Sequence, residues 1–423
     1  MKQIDVAIIG GGITGTALLY ELARRGDAGR VVLLEKYPSL ASVNTDGRNN
    51  SQTLHYGDIE TNYTLEKALQ VKQTAQLVID YAQSLPAAER DQLIHKFPRM
   101  VLAVGERECA QLTARFETFR HHYPEMELLD GAGLARVEPK VVEGRRERVL
   151  ALATHGLYSA VDFQRLALSF AAQAQQLQPD YELRMGTAVR SIRQEEQGFR
   201  LDTGHEVLHA RTVVVSTGGH SLLFAQRMGY GLEYACLPVA GSFYYTPPLL
   251  NGKVYTVQND KLPFAAVHGD PDLIKPGVTR FGPTALVLPL LERHRWSTLP
   301  QFLQVTKPEP AVLKVMAGLL SEPEVRAYML RNILYEVPGV GKRLFLKEAR
   351  KIVPSLQLAQ LQFAKGIGGI RPVMIDKQKG ALHLGEAQID PGNGILFNMT
   401  PSPGATSCLG NARRDAERIV GYL

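Results

Sequence analysis

The stretch Ile4-Asp5-Val6-Ala7-Ile8-Ile9-Gly10-Gly11-Gly12-Ile13-Thr14-Gly15, completed by Val31-Val32-Leu33-Leu34-Glu35, decides the fold. Ile4 to Ile9 is a short apolar run of the kind a buried parallel strand shows, and it ends in the glycine-rich turn. Ala17, Leu18, Leu22 and Ala23 then recur on one helical face, and the pattern stops near Gly26. Strand, glycine turn, helix, strand and acid in that order predict a dinucleotide site. Gly10 permits the tight turn, Gly12 lets the backbone approach a pyrophosphate, and Gly15 lets the helix lie close against the strand. Unpaired N–H groups and the positive dipole end at the helix start, around Ile13 and Thr14, suit the phosphates. Glu35 is placed to accept hydrogen bonds from the adenosine ribose, with Lys36 beside it.

FAD and NAD share this fingerprint, so the rest of the chain must choose between them. Val213-Val214-Val215-Ser216-Thr217-Gly218-Gly219 is an apolar strand running into a second glycine turn. It resembles the second conserved segment of flavoproteins with two dinucleotide-binding domains, in which such a strand returns to the FAD sheet. Tyr181 to Ile192 reads as strand and turn, and Val189 falls where that group's backbone contacts the adenine. FAD is therefore the expected cofactor.

The chain has 423 residues, 45% of them hydrophobic, which suits a folded two-domain or elaborated α/β protein. Its 48 basic and 42 acidic residues are mixed along the chain, for a net charge of +6. That excludes a tail-driven nucleic-acid binder, and no run interleaves aromatic with basic residues as a stacking platform does. Cys109, Cys236 and Cys408 lie far apart with no C-x-x-C pair, so neither a disulfide framework, nor a zinc site, nor any other metal is expected, and a reducing compartment is. No apolar window is long enough for a membrane span, and Asp5 with three glycines interrupts what might pass for a signal peptide.

Helical periodicity fills Leu65 to Leu85, Glu108 to Tyr123 and Phe163 to Leu177. From about 237 to 290 the chain reads as β-rich and proline-punctuated, and from Ala311 to Leu346 as helical and basic, broken at Pro323 and Pro338. The expected fold is α/β, a Rossmann-like FAD-binding domain (1–85, 150–235 and 352–423) interleaved with a β-sheet substrate domain carrying helices (86–149 and 236–351).

Three polar clusters carry the chemistry. The first runs from Asn44 through Asp46, Arg48, Asn49, Asn50, Ser51, Gln52, Thr53 and His55 to Glu60-Thr61-Asn62-Tyr63-Thr64, too rich in hydrogen-bonding side chains to be core. The second pairs Ala266-Val267-His268-Gly269-Asp270 with Arg280-Phe281-Gly282-Pro283 as a hairpin. Imidazole, with an unperturbed pKa of about 6.5, suits removal of a hydroxyl proton near neutrality. The third joins Gly366-Ile367-Gly368-Gly369-Ile370-Arg371-Pro372, where a guanidinium can grip a carboxylate fork to fork, to Pro401-Ser402-Pro403-Gly404-Ala405-Thr406 and a terminal helix.

In these clusters and their order the chain resembles the FAD-dependent malate:quinone oxidoreductases of the D-amino-acid-oxidase-like superfamily, over nearly its whole length. The resemblance implies oxidation of a 2-hydroxy dicarboxylate, (S)-malate to oxaloacetate, with electrons passed to a membrane quinone. It assigns Arg371 to the substrate carboxylate and His268 to the hydroxyl proton, with Thr53 and His55 beside the substrate and His55 as the other candidate base. Asn50, Ser51, Gln52, Val189, Thr217, Gly218, Gly404, Ala405 and Thr406 would hold FAD. It also implies peripheral attachment to the cytoplasmic, inner face of the cell membrane, for which the basic stretch Lys342, Arg343, Lys347, Arg350 and Lys351 is suited. Ile370 stands where the family usually carries Gln. L-2-hydroxyglutarate dehydrogenase shares the His, Gly-Pro and Pro-Ser-Pro features and is the nearest rival; an amine or amino-acid oxidase using O₂ is the other.

Overall fold

A computed structural model describes residues 3–259, 266–383, 385–400 and 403–423. Pro401 and Ser402 of the third cluster lie outside the described residues. Three apolar strands, Ile4–Ile9, Val31–Leu34 and Val207–Val215, pair in parallel at the centre of an eight-stranded sheet, with Ile9 level with both Leu34 and Val215. Ile395–Met399 extends the parallel set on one side and Glu182–Arg184 on the other.

The pleat sends alternate side chains to opposite faces. Val6, Ile8, Val31, Leu33 and Val214 join one core, packed by helices Ile13–Arg25, Leu65–Ser84, Phe163–Leu177 and Cys408–Tyr422. Ala7, Ile9, Val32, Leu34, Val213 and Val215 join a second core with Phe199, Leu222 and Leu223. Both faces are covered, which is why these strands read as continuous apolar runs. The first helix ends as expected, with Gly26 in the left-handed conformation at φ 76°.

A second eight-stranded sheet holds the hairpin expected around His268: His268–Pro271 pairs antiparallel with Thr279–Gly282, His268 opposite Gly282. The sheet continues through Lys253–Thr256 to Arg99–Val104, Val149–Thr154 and Met126–Leu129. The expected domain boundary at residue 150 therefore falls inside a strand of this sheet. A four-stranded sheet pairs Tyr234–Ala240 with Ile370–Asp376. Arg371 thus lies in this sheet and not in the nucleotide sheet, while the sequence places residues 352–423 in the FAD-binding domain. Helices Pro310–Ser321, Pro323–Tyr335 and Val340–Ile352 form the helical stretch, with Pro323 as a first-turn residue and Pro338 between helices. Cys109, Cys236 and Cys408 are free and buried. No described helix is long and apolar enough to cross a membrane, and no described cluster of His, Cys, Asp or Glu could hold a metal ion.

Candidate active site

The C-terminal ends of the three central strands open into a cavity of about 590 Å³. Gly10 turns there at φ 108°, and a Cβ on it would lie 2.4 Å from the Ser216 carbonyl oxygen. At Gly15 a Cβ would lie 2.0 Å from the Gly10 carbonyl oxygen, so glycine there lets the helix leave directly from the strand. Gly15 does this packing work behind the cavity, not on its wall. Gly10, Gly12, Ile13, Thr14, Glu35, Lys36, Val189, Thr217 and Gly218 do line it, as do Asn50, Ser51, Gln52, Thr53, His55, Arg371, Gly404, Ala405 and Thr406.

Glu35 accepts the backbone N–H groups of Gly11 at 2.7 Å and Tyr37 at 2.9 Å, so its buried carboxylate is held at the turn. Lys36 and Tyr37 both reach the half-sequence-distant Glu292, which also lines the cavity. No local pattern announces Glu292. Asn50 acts as a knot: its amide donates to the carbonyls of Asn44, Thr45 and Asp46, and its Oδ1 accepts Gln52 N–H at 2.9 Å. Asn44 and Asn49 staple this loop to the strand lead-in of Arg371, through Ile370 N–H and C=O and through Gly368 N–H.

A second, wider cavity of about 1520 Å³ meets the first, and His55, Arg371, Thr400 and Pro403 line both. His55 Nδ1 lies 2.6 Å from Glu60 Oε1, an arrangement that leaves Nε2 free. Glu60 was seen in the sequence only as part of a polar run. Arg115 fastens its loop by donating to the carbonyls of Glu60 and Tyr63 at 2.8 and 3.0 Å. Desolvation draws the Arg371 guanidinium below its ordinary pKa, and the groups that oppose this are the phenols Tyr328, Tyr255 and Tyr63, with no carboxylate among them. A guanidinium so placed favours an anionic ligand.

His268 is placed differently. It is 2% exposed and lines neither cavity among the described residues. Its ring stacks on Tyr255 with centroids 4.2 Å apart, and burial pushes its pKa down to about 3. Below it lies a buried ionic quartet. Lys253 Nζ pairs with Asp270 at 2.8 Å, and Arg280 approaches Asp270 and Asp272 at 3.6 and 3.5 Å. The quartet supports the loop around Gly47 to Gln52 from beneath, because Lys253 donates to Ser51 C=O and Arg280 to Gly47 C=O at 3.2 and 3.3 Å. Gln52 closes the same contact by donating to Asp272 at 3.2 Å. Tyr255 is the link upward, with its hydroxyl 2.5 Å from Thr53 Oγ1. The sequence singled out His268 as base; the structure makes it a packed neighbour of that link.

The glycine cradle, the helix start at Ile13 and the buried Glu35 fit FAD, the dinucleotide of the family whose model, FAD dependent oxidoreductase, matches residues 5–418. The chain is 47% identical to a probable malate:quinone oxidoreductase of Campylobacter jejuni, over all of this chain and 96% of the relative. The chain belongs to the malate:quinone oxidoreductase family. A Helicobacter pylori malate:quinone oxidoreductase is 42% identical over all of this chain and 95% of its own length. Human mitochondrial L-2-hydroxyglutarate dehydrogenase is a more distant relative, at 24% identity over 99% of this chain and 89% of that protein. The fold matches that of glycine oxidase from Geobacillus kaustophilus, with a TM-score of 0.67 at 20% identity over 99% and 95% of the two chains. For this malate:quinone oxidoreductase family member, FAD is the cofactor and the CH–OH group the bond oxidised.

Proposed function

We propose that this protein oxidises (S)-malate to oxaloacetate where its two cavities meet and passes the two electrons to a quinone. The observation that carries the reading is that Arg371 and His55 line both cavities, one of them lined by the dinucleotide turn. FAD, held by Gly10, Gly12, Asn50, Ser51 and Gln52, would supply the two-electron acceptor for malate and the two-electron donor for the quinone. Arg371 grips a malate carboxylate and so orients C2, where positioning supplies much of the catalytic advantage. His55 Nε2 takes the hydroxyl proton, with Glu60 accepting Nδ1–H and holding the ring in the tautomer that leaves Nε2 basic. This assigns the proton to His55 rather than to His268, whose buried ring faces Tyr255. The first sheet and its helices form the cofactor unit, and the other two large sheets form the substrate unit.

Attachment to the inner, cytoplasmic face of the cell membrane is supported by surface chemistry. The helix Pro323–Tyr335 buries Val325, Tyr335 and Asn332, the last donating to Tyr328 C=O and accepting Ala285 N–H, yet it leaves Leu330, Ile333 and Leu334 exposed. Residues 307–351 carry nine basic against five acidic side chains, a balance that favours anionic lipid. The deciding experiment is anaerobic bleaching of the flavin absorbance by malate, L-2-hydroxyglutarate and amino acids supplied separately. Fast bleaching by malate is the expected result; bleaching by L-2-hydroxyglutarate alone would overturn the substrate.

A further inference from the structure

The wider cavity is far larger than a four-carbon dicarboxylate requires, and its lining divides by chemistry. His55, Glu60 and Arg371 belong to a broad polar part, with Lys67, Lys314, Glu322, Glu386, Arg414 and Asp415 among its other members. Val239, Val315, Leu319, Val373 and Leu382 also line it, and these five belong to one contiguous apolar cluster between the four-stranded sheet and the helix Pro310–Ser321. Malate, with two carboxylates and a hydroxyl, gains nothing from such a wall. An apolar ligand does.

Gly318 gives a second, independent indication. It lies exposed in the last turn of the helix Pro310–Ser321 and lines the cavity. Nothing lies within 4 Å of where its Cβ would be, and its φ is not in the left-handed region. Neither packing nor backbone conformation calls for glycine, which costs a helix up to about 1 kcal/mol relative to alanine. A residue without a side chain leaves a flat patch on which a planar ring can lie close to the backbone. The same helix exposes Leu313 and Leu320 to solvent, and the next helix exposes Leu330, Ile333 and Leu334.

We propose that this helix forms the quinone site: the dione ring lies against Gly318 and Leu319, and the isoprenoid tail leaves over Leu313 and Leu320 toward the bilayer. This rests on the reading of the junction as a malate:quinone site. Malate gives up two electrons and two protons in becoming oxaloacetate, and the quinone takes up two electrons and two protons in becoming the quinol, so the two half-reactions balance. Both substrates use one vestibule, so oxaloacetate must leave before the quinone ring enters, and the steady-state pattern is ping-pong.

The test separates the half-reactions in the FAD-loaded full-length protein and two variants, Gly318→Trp, whose ring occupies the open patch, and Leu319→Glu. Flavin reduction at saturating malate should be slowed far less than re-oxidation by quinone. Re-oxidation of dithionite-reduced flavin by a decyl-substituted benzoquinone should slow by about tenfold or more, while re-oxidation by ferricyanide stays normal. Equilibrium dialysis of a non-reducible quinone analogue against the oxidised protein should show weakened binding. Normal quinone re-oxidation in both variants would overturn the site, as would equal slowing with ferricyanide or with malate. Because the reduced flavin is prepared with dithionite, failure of malate to bleach the wild-type protein would refute the substrate assignment without touching the quinone arm.

Discussion

At the scale of single residues, the site turns on which polar groups have spare bonding capacity at the junction. Arg371 is desolvated with no carboxylate among the groups acting on it. Arg371→Ala should raise KM for malate by about 10- to 100-fold, the loss of a charge-assisted hydrogen-bonding pair, with flavin content unchanged when measured as bound FAD per chain. His55→Ala should slow malate-driven bleaching by about 10²- to 10⁴-fold at saturating substrate. Glu60→Gln should also slow it, by loosening the imidazole tautomer, without altering KM. His268→Phe keeps a flat ring against Tyr255 and should bleach at nearly the wild-type rate in the same stopped-flow assay; loss of bleaching in that variant alone would return the base to His268. Thr53, Gln52 and Asn50 were readable from the polar run around them. Their actual work was not: Asn50 knots its own loop, and Gln52 ties it to Asp272.

At the scale of elements, local pattern was a good guide wherever burial is set by period. The continuous apolar runs became strands covered on both faces, and Phe163–Leu177 became a helix with the same bounds as its periodicity. The hairpin at His268 also formed, yet a strand's register does not say how deep its first residue lies, and here the ionic quartet and Tyr255 bury it. One further junction has a pH signature. Glu138 accepts the N–H groups of Asn251 and Gly252 just before the strand Lys253–Thr256, and burial raises its pKa from 4.5 to about 7. Between those values the folded chain holds a proton that the unfolded chain has released, so stability is greatest below the window and falls as pH rises through it. At about 1.4 kcal/mol per pKa unit the full loss is on the order of 3 kcal/mol. Thermal melts from pH 4.5 to 8 should show Tm declining across that range, and Glu138→Ala should remove this component of the slope while lowering Tm overall.

At the scale of the whole molecule, the helix Pro323–Tyr335 presents Leu330, Ile333 and Leu334 to solvent. Replacing Leu330 and Ile333 together by Glu should abolish co-sedimentation with vesicles of anionic phospholipid and leave malate bleaching intact, because neither residue lines a cavity. Wild-type binding should weaken as salt is raised, as expected where basic side chains meet anionic lipid. The sequence by itself determined the dinucleotide turn and the parallel strands around it, because each depends on residues near one another in the chain or on a fixed period. Only tertiary structure decided that Glu292 closes over Lys36 and Tyr37 and that His55 and Arg371, 316 positions apart, line both cavities while His268 lines neither. Those outcomes depend on how three sheets pack, and the depth of a side chain is a property of the packed whole that no local spacing encodes.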